Sequence, residues 1–133
     1  MAHKITLGTR PKSFKRSVQV PLHEGATGEL EVHFKYRTRS EFGAFVDQII
    51  AAAKVAPPAR TADGDDLALS MHAAMEAARD QNADYLLQII DSWGLDEPLS
   101  LDTLRQLCDE LPGAAIALMD AYRAACVEGR LGN

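Results

Sequence analysis

Six acidic side chains fall between Asp91 and Glu110, in the stretch "DSWGLDEPLSLDTLRQLCDE": Asp91, Asp96, Glu97, Asp102, Asp109 and Glu110. Carboxylates so grouped could hold a hard cation through their oxygens, or divide the work of a general acid and a general base. Their spacing points elsewhere. Asp102 falls at the start of a helical pattern, where a carboxylate complements the helix dipole. Asp109 lies off the apolar stripe of Leu101, Leu104, Leu107 and Cys108, and Asp96 and Glu97 lie in the turn before it. That arrangement is a solvated face, and no catalytic residue is expected from it.

Other chemistry-bearing residues give no stronger pattern. The four histidines, His3, His23, His33 and His72, have no ligand spacing among themselves or with cysteine, so neither metal nor cofactor is expected. Cys108 and Cys126 sit among apolar residues of helical patterns and read as free, buried thiols. No glycine-rich phosphate loop and no nucleophile elbow occurs. Trp93, the only tryptophan, ends a stripe with Ile89 and Ile90 and reads as core.

The net charge of -5 conceals an asymmetry. Residues 1–40 hold eight Lys/Arg against three Glu, a basic head, while residues 41–133 hold six against sixteen, an acidic body. Lys12, Lys15, Arg16, Lys35, Arg37 and Arg39 could line a hairpin that meets nucleic acid. Glu29 and Glu31 interrupt that face, and the acidic body repels phosphate, so the balance argues against nucleic acid. No apolar run approaches the ~20 residues of a membrane span, and the basic N-terminus lacks the apolar stretch of a secretory signal. A cytoplasmic protein is expected.

The elements around these residues read as one α+β domain over 1–133. Residues 1–14 form a flexible arm. Alternation over 15–22 and 29–37 marks a β-hairpin with Val18, Val20, Leu22, Leu30, Val32, Phe34 and Tyr36 on one face and Glu29, Glu31, His33, Lys35 and Arg37 on the other. A lone hairpin is marginal in water, so its apolar face must pack on the helical body expected over 38–128. That body has four to five helices. Thr38 and Glu41 have the spacing of a capping box, followed by a stripe of Phe42, Phe45, Val46, Ile49, Ile50 and Ala53. A mobile loop is read over 55–65. Leu67, Met71, Ala74, Met75 and Ala78 begin the next pattern, which resumes through Leu86, Ile89, Ile90 and Trp93 as one bent helix or two. Gly94 is placed as a left-handed cap, Ser100 as an N-cap, and Pro112 at the first turn of a last helix carrying Ala115, Ile116, Met119, Tyr122 and Cys126 and ending at Gly129.

Three segments, "VHFKYRTRSEFGAF" at 32–45, "DSWGLDE" at 91–97 and "LPGAAIALMDAY" at 111–122 with "GRLGN" at the end, resemble in order and spacing the small tail assembly chaperones of long-tailed bacteriophages and prophages. The alanine-rich stretch from roughly 55 to 80 is longer than that family leads one to expect. The resemblance implies a cytoplasmic assembly factor without catalytic residues that binds the tape measure protein and keeps it soluble until the tail tube forms around it. The tail tube protein is then a further candidate partner, and a homo-oligomer is left open. Apolar residues that could exceed what one small core hides are the candidate contacts: Phe42, Phe45 and Ile49 on the first helix, with Trp93, Leu95 and Tyr122 near the turn. The competing readings are a structural tail component retained in the particle and a small regulator that binds nucleic acid through the basic hairpin.

Overall fold

The computed structural model describes the backbone of residues 7–8, 10–55 and 66–129, and side chains over the same residues except 53–55 and 66–70. Most of the loop read over 55–65, part of the arm read over 1–14, and the stripe residues Ala53 and Leu67 lie outside these limits. The architecture is α+β. Strands β1 (Ser13–Pro21) and β2 (Thr27–Lys35) form the hairpin, joined through a short 3-10 turn at His23–Gly25. Helices α1 (Arg39–Val55) and α2 (Asp66–Ile89), strand β3 (Ile90–Trp93), and helices α3 (Leu101–Glu110) and α4 (Pro112–Glu128) follow.

The alternation of the hairpin is realised as core and surface. Val18 pairs with Leu30, Arg16 with Val32, and Phe14 with Phe34 across the antiparallel register, and Val18, Val20, Leu30, Val32 and Phe34 are all buried. Leu22 departs from the expected face: it lies past the strand in the turn and is largely exposed. On the other face Lys15 pairs with Glu31 at 3.0 Å, and Gln19 donates to Glu29 at 3.1 Å. Phe14, read as part of the arm, belongs to β1, and its ring lies 5.6 Å from that of Phe34 and 6.3 Å from that of Tyr122.

The largest departure from the sequence reading is β3. The pattern through Leu86, Ile89, Ile90 and Trp93 predicts helix to Trp93, but one continuous helix spans 66–89 and then gives way to a strand that pairs with β2. Val32 stands opposite Trp93 and Phe34 opposite Ile90, with an irregularity between His33 and Phe34. The reason is the open edge of β2: a hairpin needs a third strand or a helix to be stable, and "IDSW" offers a β-branched residue and an aromatic at the paired positions. Gly94 is accordingly no helix cap. Its N–H donates to the Glu31 carbonyl at 2.9 Å and extends the ladder.

Helix boundaries follow local chemistry. The Thr38 N–H donates to the Glu41 carboxylate at 2.9 Å, and the Glu41 N–H to the Thr38 hydroxyl at 3.2 Å, the reciprocal box that the spacing predicts. The Thr38 bond first, and Arg10 beside it, hold the Glu41 carboxyl below its usual pKa. Ser100 caps α3 with Thr103 in the same manner. Gly129, at φ 74, ends α4 in the left-handed conformation that glycine adopts without steric cost.

Arg37, assigned by alternation to the wet face, lies beyond the strand end and turns inward. It donates to the Tyr122 hydroxyl at 3.0 Å and to the Gln88 carbonyl at 3.2 Å, with its guanidinium 4.3 Å from the Phe45 ring centre. Tyr122 in turn donates to the Lys35 carbonyl at 2.8 Å. One cation thereby ties the end of β2 to α1, α2 and α4, which a planar five-donor fork over an aromatic face is suited to do.

Where α4 begins, its backbone comes close to β1. A Cβ built on Gly113 would stand 2.6 Å from Cγ of Pro21, whereas one on Gly43 in α1 would meet nothing within 4 Å. Gly→Ala within a helix ordinarily gains up to about 1 kcal/mol, while forcing a methyl against a rigid ring costs about 1–3 kcal/mol. Gly113→Ala should therefore lower the denaturant midpoint, and Gly43→Ala should raise it or leave it unchanged. A stabilised Gly113→Ala protein would contradict the close approach.

Candidate partner-binding groove

Four of the six candidate contact residues are core. Phe42, Phe45, Ile49 and Tyr122 are buried, their rings packed as Phe42 against Phe45 at 6.4 Å, Phe42 against Tyr122 at 5.8 Å and Phe45 against Tyr85 at 4.8 Å. The free chain presents none of them. Trp93 and Leu95 are placed differently. They line an open groove of about 190 Å³ with Glu97, Thr103, Gln106, Leu107, Glu110 and Leu111.

The groove has two walls. One is the turn after β3, where the Trp93 indole N–H donates to the Glu97 carbonyl at 2.9 Å, fixing the ring across the turn. The other is one face of α3 and its end: positions 103, 106, 107, 110 and 111 recur at helical spacing over about 12 Å of axis. Leu104 and Cys108, on the adjoining side of that helix, are buried in the core. The apolar stripe of α3 is thus wider than the core needs, and Leu107 and Leu111 at its edge remain half-buried. The Leu101/104/107/108/111 pattern carried this signal, but it did not distinguish the residues that face inward from those at the margin.

Two of the six acids reach this groove. Glu97 and Glu110 lie on its rim, with Gln106 donating to Glu110 at 3.0 Å, and Asp91, Asp96, Asp102 and Asp109 are exposed. The only base between 91 and 111 is Arg105, which is engaged by Asp80 at 3.2 Å and Asp102 at 3.8 Å. No set of three or more His, Cys, Asp or Glu able to hold a metal occurs among the described residues. Burial pushes the Cys108 thiol up to about 11 and raises that of Cys126, so both are protonated and unreactive at neutral pH.

A second apolar surface lies on the first half of α2. Met71 and Met75 are 60% and 62% exposed, and Ala74 and Ala78 between and beyond them are exposed too. The helical pattern of the sequence runs through these residues, but among the described side chains from Met71 to Ala78 none is buried. Ile50 and Ile116, counted in the stripes of α1 and α4, also face solvent. In α4 the core is carried instead by Ala114, Ala115, Leu118, Tyr122, Ala125 and Cys126. No helix among the described residues is long and apolar enough to cross a membrane.

Among the described residues a three-stranded sheet and four helices carry an open, largely apolar groove and two buried thiols. Compared with protein families, the chain matches the phage tail assembly chaperone model over residues 1–133, and it belongs to that family. Comparison with curated proteins and with solved structures finds no match. Membership gives the chain a role in phage tail assembly exercised on protein partners.

Proposed function

We propose that this chaperone binds the tape measure protein in the host cytoplasm and keeps it soluble until the tail tube assembles around it, acting by binding and without catalysis. The observation that carries the reading is the groove between Trp93 and α3, an apolar surface left open beside a filled core. A long helical partner exposes amphipathic stripes until it is enclosed, and laying such a stripe into a groove is a common way to shield it. Of the six candidate residues, Trp93 and Leu95 make the contact, while Phe42, Phe45, Ile49 and Tyr122 support the body behind them.

Coexpression tests this. The tape measure protein should be soluble and copurify with the chain, and should aggregate when expressed alone. Because the groove is flanked by acids, association should slow as salt rises, exposed charges being screened beyond ~10 Å at 0.1 M. If the partner's solubility is the same with and without the chain, and no complex survives gel filtration at low salt, the reading fails.

A further inference from the structure

We infer that the groove selects a basic amphipathic helix, taking one large apolar side chain between Trp93 and Leu107 while Lys or Arg residues about one turn to either side meet Glu97 and Glu110. The inference rests on the proposed function for its biological meaning but not for its test. Size supports a single anchor: about 190 Å³ is close to the ~150 Å³ of an apolar cavity that admits a benzene-sized group, and smaller than two large side chains would fill. Shape supports a helix. The α3 wall presents residues at helical spacing over about two turns, so a second helix alongside it can set its own i, i+3 and i+4 positions against Thr103, Gln106, Leu107 and Glu110.

Charge decides which helix. Glu97 belongs to the turn wall and Glu110 to the α3 wall, so each wall brings one acidic residue to the apolar lining of Trp93, Leu95, Leu107 and Leu111. Asp96 and Asp109, both exposed, stand next to them in sequence. Arg105 cannot neutralise this rim, since it is held by Asp80 and Asp102. An acidic segment would meet like charge on both rims, and a neutral one would gain only the anchor; complementary rims steer encounter and reject wrong partners.

Trp93 provides the assay, being the only tryptophan and a wall of the groove. Two synthetic 20-residue helical peptides would be titrated into the full chain while its emission is followed. Both carry leucines at i, i+3, i+4 and i+7; one has lysines on the flanks and the other has glutamates. The lysine peptide should shift the Trp93 emission saturably, and the glutamate peptide should not. Glu97→Lys and Glu110→Lys, at exposed positions, should each weaken the lysine peptide by about five- to tenfold and flatten its salt dependence. Leu95→Ala should weaken it with the salt dependence intact. Equal binding of the two peptides, an unmoved emission with the lysine peptide, or charge reversals without effect would overturn the inference. Coexpression separates the levels: a partner kept soluble by a chain whose Trp93 never responds leaves the chaperone and removes the groove, whereas a responding Trp93 without a solubilised partner does the reverse.

Discussion

Phe34→Ala should destabilise the protein by about 3–5 kcal/mol, the range for emptying a fully buried phenylalanine site. Phe34 has no exposed surface and lies in the central strand, opposite Phe14 on β1 and Ile90 on β3. Its ring stands 5.6 Å from Phe14 and 5.2 Å from Tyr122, so truncation strips two aromatic contacts as well as leaving a void. The site cannot readily collapse, because its neighbours are held: Tyr122 by its bonds to Lys35 and Arg37, Ile90 by the strand ladder. Set against the ~5–15 kcal/mol that stabilises a typical domain, this is about a fifth or more of the whole. The denaturant midpoint should fall with little change in slope, and a loss below about 1 kcal/mol would mean that the hairpin face is not the centre of the core.

How far the sequence disclosed this fold depends on the element. Val18, Val20, Leu30, Val32 and Phe34 were legible because a strand with one wet face writes its orientation in every second residue. The Thr38/Glu41 and Ser100 caps and Pro112 were legible because they satisfy local backbone groups and need no distant partner. Strand β3 was not. Four residues carry too little periodicity to separate strand from the last turn of a helix, and what decides is the open edge of β2, more than fifty residues earlier in the chain. Arg37 was misplaced for a related reason: alternation ends with the strand at Lys35, and the side chain then answers to Tyr122 and Gln88.

The groove was half legible. Trp93 and Leu95 are candidates in the sequence because apolar residues near the turn could exceed what one small core hides, and both line the groove. Phe42, Phe45, Ile49 and Tyr122 were marked with them because a stripe does not say which of its members the core will cover. Met71 and Met75 show the converse: the same 3.6-residue spacing that buries Leu86 and Ile89 leaves them in solvent, since burial along the described side chains of α2 begins only at Ala83. Periodicity gives the face of a helix; the reach of its neighbours decides how much of that face is used.

Alkaline unfolding should be the steepest pH response of the molecule. Burial raises Tyr85 to about 12, with Cys126 nearby adding to the effect, and Cys108 to about 11; it also raises Tyr122 and Cys126. Each of these groups is neutral when protonated, and the unfolded chain releases the same protons near pH 10 for tyrosine and pH 9 for cysteine. The unfolded state therefore binds fewer protons than the folded one in this range, and stability falls as pH rises. The contribution is fully present below about pH 9 and is lost between there and about pH 12. Tyr85 and Cys108 each contribute on the order of 2 kcal/mol, and Tyr122 and Cys126 add to the loss in the same direction. Tyrosinate absorbance from Tyr85 and Tyr122 should rise together with the loss of helical circular dichroism, in one transition. Tyr85→Phe removes one of the protons released and should move that transition to higher pH. Tyrosinate absorbance in excess of one tyrosine, Tyr36 being only partly buried, in a chain that keeps its helical signal would show that the Tyr85 and Tyr122 hydroxyls reach water in the folded protein, contrary to the packing of Tyr85 on Phe45 and of Tyr122 on Phe34 and Phe42.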